Sequence, residues 1–273
     1  MRSTFYLLFL FFFIKDCVQV ETVKVPKPKT DLTVICFWDI GNFTIQDLTE
    51  KAKGDYLTKF IPNCDMISLI GIHPSQTELV SKLEEKLMKI DSSYKCAEGE
   101  PKGSMDSREE KYITCVKKTD DAEIIPIEFQ DKDNRFITPP TLFLVQYNSL
   151  RYLITPFHST PKNKQEIRSF KHVVNFAYQN YSDRRAFFGG NFNAGTNHLP
   201  EDFLTSLDYF VILKQLVPDA STFENQKDDL IFTDPRLGRK CKGKVWQLAK
   251  LYPELKAGEE ISTHFPVSIE CKQ

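Results

Sequence analysis

Short apolar runs alternate with stretches of helical periodicity in the first third of the chain. Residues 32–38 and 66–72 are apolar runs of strand length. Each is followed by apolar residues at helical spacing, namely Ile45, Leu48, Ala52 and Tyr56 after the first run and Leu79, Leu83, Leu87 and Ile90 after the second. Ser75 and Glu78 have the spacing of a capping box before the second helix. The pattern predicts the order strand, helix, strand, helix.

Strand-like segments dominate the remainder of the chain. They are predicted at residues 112–117, 123–129, 142–147, 150–157, 186–190, 209–213, 229–232 and 266–271, with a hairpin turn at Asn148-Ser149. A third helix is marked by Ile167, Phe170, Val174 and Tyr178, and another is predicted near residues 201–206. Because hairpins are interleaved with helices, an all-parallel sheet is excluded and a two-sheet α/β sandwich is favoured.

An apolar run near the N-terminus, Phe5 to Ile14, follows Arg2 and ends at Lys15. It is shorter than the ~20 residues that a helix needs to cross a bilayer. It therefore predicts a secretory signal over residues 1–20, with a buried strand or a membrane anchor as the alternative. Residues 21–31 predict an extended linker, and residues 32–273 then form one domain of a secreted, extracellular protein that is not membrane-bound after signal removal.

The cysteine count supports the same compartment. Six cysteines follow the predicted signal: Cys36, Cys64, Cys96, Cys115, Cys241 and Cys271. An even number in a secreted chain predicts disulfides, although fifteen pairings are open. Cys96 and Cys115 are the favoured pair, because they flank a Gly-containing segment that can form a hairpin loop. Sequons at Asn42 and Asn180 predict glycosylation.

The overall charge excludes non-specific coating of a polyanion. Lys and Arg number 36 against 37 Asp and Glu, a formal net charge of −1, so affinity for nucleic acid would need a local basic patch. One such patch is present within nine residues and consists of Arg236, Arg239, Lys240, Lys242 and Lys244. It predicts either a solvated loop or a contact with nucleic acid or an acidic protein surface; no motif identifies a protein partner.

Three polar motifs lie at the ends of apolar strands, where layered folds place their sites. They are Thr155-Pro-Phe-His158-Ser-Thr-Pro161, Phe188-Gly-Gly-Asn191-Phe-Asn193-Ala-Gly195 and Ser262-Thr-His264-Phe-Pro266-Val267. In this order, the motifs resemble those of the deoxyribonuclease I family of the endonuclease/exonuclease/phosphatase superfamily. The resemblance implies a four-layer α/β/β/α sandwich of two mixed β-sheets and an ancestry in divalent-metal phosphodiester hydrolysis.

The resemblance also assigns the acid/base residues. His158 and His264 match the two catalytic histidines of the family. Glu110 falls where the family has the carboxylate that orients the first histidine. Asp229, or alternatively Asp228, falls at the partner of the second. Asn193 matches the asparagine that contacts the phosphate.

The metal positions of the family are not matched. Asn191 and Thr263 replace aspartates, Gly71 replaces the metal-binding glutamate, and Trp38 stands where the family strand ends in Asn. Mg²⁺ is usually held by one or two carboxylates together with substrate phosphates, so no cofactor is expected. Asp39 is the substitute ligand that a one-residue bulge would supply.

The chain is therefore expected to be a secreted, catalytically impaired pseudonuclease that acts by binding. The alternative is an active endonuclease or phosphodiesterase that cleaves DNA with Mg²⁺ or Ca²⁺ in a rearranged site. A further hypothesis is metal-free cleavage of RNA by the two imidazoles, since RNA supplies its own 2′-hydroxyl nucleophile.

Overall fold

The computed structural model describes residues 32–90, 93–104, 107–194, 199–200, 202–203, 214–215, 217, 221–222, 226–252 and 261–273. They belong to a compact unit, Asp31–Gln273. The predicted signal, the predicted linker, the strand near residues 209–213 and most of the helix near residues 201–206 lie outside the described residues. Within the described ranges, no helix is both long enough and apolar enough to cross a bilayer.

The first sheet has seven strands. They are β1 (Leu32–Phe43), β2 (Met66–Ile72), β3 (Tyr94–Glu98), β4 (Lys102–Ser104), β5 (Ser107–Lys117), β12 (Cys241–Val245) and β13 (Val267–Lys272). Their order is β12-β13-β1-β2-β5-β3, and β4 also pairs with β5. The β1–β2 pair is parallel and the other pairs are antiparallel, so the sheet is mixed.

The second sheet has six strands in the order β10-β11-β9-β8-β7-β6. They are β6 (Glu123–Glu128), β7 (Thr141–Tyr147), β8 (Leu150–His158), β9 (Arg185–Asn191), β10 (Lys214–Gln215) and β11 (Asp229–Thr233). Strands β8 and β9 are parallel. The predicted hairpin is confirmed: β7 and β8 are joined by Asn148 and Ser149, whose φ angles of 50° and 61° suit a tight two-residue turn.

Helices cover the outer face of each sheet. They are α1 (Ile45–Thr49), α2 (Lys51–Phe60), α3 (Leu79–Met88), α4 (Lys164–Tyr181), α5 (Pro235–Gly238) and α6 (Leu248–Leu251), and a 3₁₀ turn spans Ile61–Asn63. The predicted first helix is divided at Glu50 into α1 and α2. The capping box expected before α3 is wrong, because the N-cap residue is Glu78 and makes no side-chain cap hydrogen bond.

Three apolar cores lie between the four layers, which are the two sheets and the helices outside each of them. Phe37, Phe143 and Ile231 lie in the core between the sheets. Trp38 and Phe60 belong to the core between the first sheet and α1–α3. A cluster of aromatic rings packs α4 on the second sheet and includes Phe157, Phe170, Phe188 and Phe192. The predicted four-layer α/β/β/α sandwich of two mixed sheets is confirmed.

Three disulfides connect segments of the first sheet and its surroundings. Cys96–Cys115 joins the neighbouring strands β3 and β5, as predicted. The other two are Cys36–Cys64 and Cys241–Cys271, which links the edge strand β12 to β13. All six cysteines that follow the predicted signal are therefore paired.

Candidate active site

Strand register brings the three polar motifs together at one edge of the sandwich. His158 ends β8 and lies opposite Asn191, which ends the parallel strand β9. Asp229 begins β11 and lies opposite Asn191 on the other side. Glu110 is supplied by β5 of the first sheet, and His264 precedes β13. The sequence motifs converge because each follows or begins a strand at the same edge.

Each histidine is paired with a buried carboxylate. The Nδ1 atom of His158 lies 2.9 Å from both carboxylate oxygens of Glu110. The Nδ1 atom of His264 lies 2.7 Å from Oδ2 of Asp229. Because a carboxylate accepts hydrogen bonds, each Nδ1 carries a proton and each Nε2 is the atom left for the pocket. The structure thus places the four predicted acid/base residues in two pairs, and Asp229 rather than Asp228 contacts His264.

The carboxylate of Asp39 lies between the two histidines. Its Oδ2 accepts a hydrogen bond of 2.7 Å from the Asn191 side-chain amide and lies 3.6 Å from Nε2 of His158. Its Oδ1 accepts a hydrogen bond of 2.9 Å from the backbone N–H of Gly41. The β1–β2 register is regular from Ile35 to Asp39 and shifts only between Asp39 and Phe43, so the irregularity follows Asp39 and is not the one-residue bulge considered for it. Asp39 is only 4% exposed.

Trp38 faces away from this pocket. Its ring packs edge-on against Phe60 with centroids 5.4 Å apart, in the core below the helices. Its Nε1 donates a hydrogen bond to the backbone carbonyl of His264. Successive strand residues point to opposite faces, so the β1 residue that lines the site is Asp39 and not Trp38, which corrects the position taken from the sequence.

Gly71 leaves no room for a side chain. Its φ of +76° belongs to the left-handed region that favours glycine. A Cβ at this position would lie 2.9 Å from the Gly41 carbonyl oxygen and 3.0 Å from Oδ1 of Asp39. The Asp39 carboxylate therefore lies in the space into which a side chain at position 71 would project.

The remaining predicted residues have different environments. Thr263 is exposed beside His264. Asn193 has a φ of 44°, donates its backbone N–H to Oδ1 of Asn191 and donates its side-chain N–H to the Ser159 carbonyl. These bonds place Asn193 at the rim of the site, where its contact with phosphate stays a prediction.

Ser262 is a positioning residue that sequence reasoning missed. Its hydroxyl donates to the backbone carbonyl of Asp39 and accepts from the backbone N–H of His264 at 2.9 Å. It thus ties the bulged end of β1 to the segment that carries His264. The signal available in the sequence was its place in the third motif, two residues before the histidine.

Comparisons with known proteins find one relative by sequence. No family model matches the chain. Over 183 residues the chain is 26% identical to Deoxyribonuclease-1-like 1 of Mus musculus, an alignment that covers 65% of this chain and 57% of that protein. The alignment thus spans a little over half the length of this relative.

Solved structures share the fold at low sequence identity. A humanized D. rerio TDP2 has a TM-score of 0.62 and 13% identity, covering 89% of this chain and 100% of its own. An endonuclease/exonuclease/phosphatase protein from Bacteroides vulgatus has a TM-score of 0.60 and 14% identity, covering 88% of this chain and 98% of its own. At such identities these two structures establish the fold alone.

The chain is thus similar in sequence to a deoxyribonuclease-1-like protein and has the fold of endonuclease/exonuclease/phosphatase proteins.

Few oxygen ligands are available to a divalent cation at this site. No group of three His, Cys, Asp or Glu side chains in the described ranges is arranged to hold a metal ion. The Asn191 amide presents its NH₂ group to the pocket, because its oxygen accepts from the backbone of Asn193. Mg²⁺ and Ca²⁺ require oxygen ligands, and here Asp39 supplies a carboxylate that already accepts two hydrogen bonds.

The charges of the site are set by mutual contacts. Burial alone would raise the pKa of Asp39, but His158, His264, Asn191 and the Gly41 N–H together hold that pKa below its ordinary value of 3.8. Burial alone would lower the pKa of His264, but the Asp229 carboxylate, assisted by Asp39, raises it to about 9. Burial raises the pKa of Asp229 itself. At neutral pH the centre therefore contains an Asp39 carboxylate beside a His264 imidazolium.

Proposed function

We propose that this chain is a divergent member of the deoxyribonuclease I family and a catalytically impaired pseudonuclease that is secreted and acts by binding. The observation that carries the proposal is the position of Asp39, whose buried carboxylate lies between His158 and His264 and forms a hydrogen bond with Asn191. An anion built into the protein thus occupies the centre of the pocket.

A phosphodiester would meet a like charge at this centre. The phosphate brings a negative charge to the two imidazoles, where Asp39 already supplies one, and like charges at close range repel strongly in a site of low dielectric constant. A metal ion would normally offset such charge and stabilise the transition state by several kcal/mol. At ~1.4 kcal/mol per factor of ten, its loss lowers the rate by orders of magnitude.

The protonation state of His264 adds to the impairment. With a pKa of about 9, its imidazole is protonated at neutral pH and has no lone pair with which to remove a proton from water. It can act only as an acid or as a fixed positive charge. A reaction that needs one base and one acid would then depend on His158 alone for the base.

The second candidate function is an active DNA endonuclease or phosphodiesterase that uses Mg²⁺ or Ca²⁺. Both histidine–carboxylate pairs favour it, because they hold the imidazoles in a single orientation with Nε2 facing the pocket. In that case Asp39 would be the carboxylate available to the cation. In this function a cation would share the Asp39 carboxylate with the hydrogen bonds from the Asn191 amide and the Gly41 N–H.

A plasmid-nicking assay in Mg²⁺ and in Ca²⁺ separates the two functions. The wild type and the His264→Ala variant are expected to give the same background. Turnover that His264→Ala abolishes would establish the active enzyme and reject the pseudonuclease. A parallel assay with RNA in EDTA tests metal-free cleavage, with His158→Ala as the control. We expect no cleavage of the RNA in this assay.

Secretion and glycosylation belong to the same proposal. The three disulfides suit an oxidising compartment. Asn42 and Asn180 are both exposed, as glycan acceptors must be. We expect mammalian cells that express the full chain to release it into the medium. Enzymatic deglycosylation should increase its gel mobility, and each of Asn42→Gln and Asn180→Gln should remove part of that shift.

A further inference from the structure

A cavity of about 670 Å³ opens on the side of the second sheet remote from the two histidines. Its wall is formed by the C-terminal end of α4, by the first residue of β9 with the residue before it, and by the segment that follows β11. Strand β9 has seven residues, with Arg185 at this end and Asn191 at the other. At ~3.3 Å per residue the two sites are roughly 20 Å apart.

Positive charge dominates the lining of this cavity. The cationic residues are Arg184, Arg185, Arg236, Arg239 and Lys240, and Asp234 is the acidic lining residue. The Asp234 carboxylate caps α5 by accepting hydrogen bonds from the backbone of Arg236 and Leu237. Among the described residues, none of the five cations forms an ion pair with a carboxylate. The C-terminus of α4 adds only about half a negative charge.

The structure changes the membership of the basic patch that the sequence defined. Lys242 and Lys244 lie on the edge strand β12 and do not line the cavity; the Lys244 ammonium lies 3.3 Å from the ring centroid of Trp246. Arg184 and Arg185 take their place, although they are distant in sequence. Arg185 is positioned beside the ring of Tyr152, with its guanidinium 6.0 Å from the ring centroid.

We propose that this cavity binds a compact anion with several closely spaced phosphate groups, of the size of a nucleoside triphosphate or inorganic triphosphate. Five cations around one concave volume match a ligand with several charges in a small space. Four of them are arginines, whose planar guanidinium groups bind phosphate oxygens in pairs. The volume lies within the range of small-molecule pockets. The proposal goes beyond the proposed function and does not depend on whether the histidine site is active.

The arrangement of the positive charges favours a compact anion over a nucleic-acid strand. A strand binds along a groove that follows its backbone, so its binding surface is extended. Here Lys242 and Lys244, which would extend the basic surface along β12, are not part of the cavity. The cations instead surround a single volume, which favours a compact ligand.

The test is calorimetric titration of the full chain with sodium triphosphate at low ionic strength. Arg236→Gln combined with Arg239→Gln should weaken binding by roughly tenfold or more, because two charge-assisted contacts are lost. The matched control is Lys242→Gln combined with Lys244→Gln, which removes the same net charge outside the cavity and should change the affinity by less than about twofold. Melting curves of both double variants confirm that they are folded.

Two further titrations test where triphosphate binds and whether an attached nucleoside changes its affinity. His158→Ala combined with His264→Ala should retain triphosphate binding, and nucleoside triphosphate should bind about as well as triphosphate. The proposal is overturned by absence of binding, by equal losses in the two double variants, or by loss in the double-histidine variant. It is also overturned if a thymidine oligonucleotide binds more tightly than triphosphate and gains affinity with length, since an extended strand would then be the ligand.

Discussion

At the scale of single residues, one carboxylate sets the character of the site. Asp39 faces the pocket by the alternation of β1, accepts hydrogen bonds from Asn191 and Gly41, and leaves no space for a side chain at Gly71. The resemblance to the deoxyribonuclease I family implies a glutamate at position 71, and the inward position of Asp39 is incompatible with that side chain. Restoring a glutamate at position 71 alone would force it against Asp39.

The crowding at Gly71 predicts a difference between two glycines. Gly71→Ala should lower the free energy of unfolding by about 2–4 kcal/mol, because left-handed backbone strain adds to overlap with Gly41 and Asp39. Gly41→Ala is the matched control, since Gly41 also has a positive φ of +65° but has nothing within 4 Å of the added carbon. It should cost only about 1–2 kcal/mol. Equal losses in denaturant unfolding would contradict the crowding.

The raised pKa of His264 predicts the direction of a pH effect. A folded-state pKa of about 9 above the ordinary 6.5 means that the stabilisation is complete below pH 6.5 and is lost as the pH rises through 9. The loss amounts to at most about 3 kcal/mol. Unfolding free energies measured from pH 6 to 10 should show this decline, and His264→Gln should flatten it. An equally steep decline in the variant would refute the assignment.

The cause of that pKa can be tested on the imidazole itself. NMR titration should give His264 a pKa of about 9 in the wild type. Asp229→Asn should lower this pKa more than Asp39→Asn does, because Asp229 contacts Nδ1 directly and exerts the larger effect. The reverse order would show that Asp39 is the principal partner of His264.

The histidine–carboxylate contacts of the site could be predicted because the motifs resemble those of the deoxyribonuclease I family. That resemblance placed Glu110 beside His158 and Asp229, or alternatively Asp228, beside His264, and in the structure Glu110 and Asp229 make the contacts. The facing of Trp38 and Asp39 could not be predicted, because it depends on the register of β1 against β2, in which Trp38 lies opposite Leu69 and Asp39 opposite Ile70. The inward turn of the Asn191 NH₂ group likewise depends on a contact with Asn193 that motif spacing does not reveal.

At the scale of secondary structure, buried strands were easier to predict than edge strands. Strand β2 has the predicted bounds, since all seven of its residues are buried and apolar character marks its whole length. Strand β12 was missed, because its sequence Cys-Lys-Gly-Lys-Val alternates buried or half-buried residues with exposed lysines at the edge of the sheet. Its pairing depends on β13 and on the Cys241–Cys271 disulfide.

That disulfide should stabilise the edge of the first sheet. It closes a segment with a sequence separation of 30 residues, for which loop closure predicts about 3.6 kcal/mol. Cys241→Ala combined with Cys271→Ala should lower the free energy of unfolding by about that amount in urea titrations. The Arg236 and Arg239 surface nearby should then show faster amide exchange. A loss below about 1 kcal/mol would show that strand pairing alone holds β12.

At the scale of the whole molecule, charge is distributed unevenly despite a net charge of −1. The histidine site and the cationic cavity lie at opposite ends of β9, one with a buried carboxylate at its centre and the other with five cations in its wall. The composition predicts no large net electrostatic field, and the fold determines where charged residues cluster. Arg184 and Arg185 join Arg236 in one cavity only through the β9–β11 pairing.

We propose that the Asp39 carboxylate and its partners leave no site for the divalent cation that the resemblance to the deoxyribonuclease I family implies. Diffraction from crystals soaked in Mn²⁺ tests this proposal, because Mn²⁺ favours the same oxygen ligands as Mg²⁺ and is located by its anomalous signal. We expect no anomalous peak between His158 and His264, with Asp39 still hydrogen-bonded to Asn191. An ordered ion about 2.1 Å from an Asp39 oxygen would contradict it.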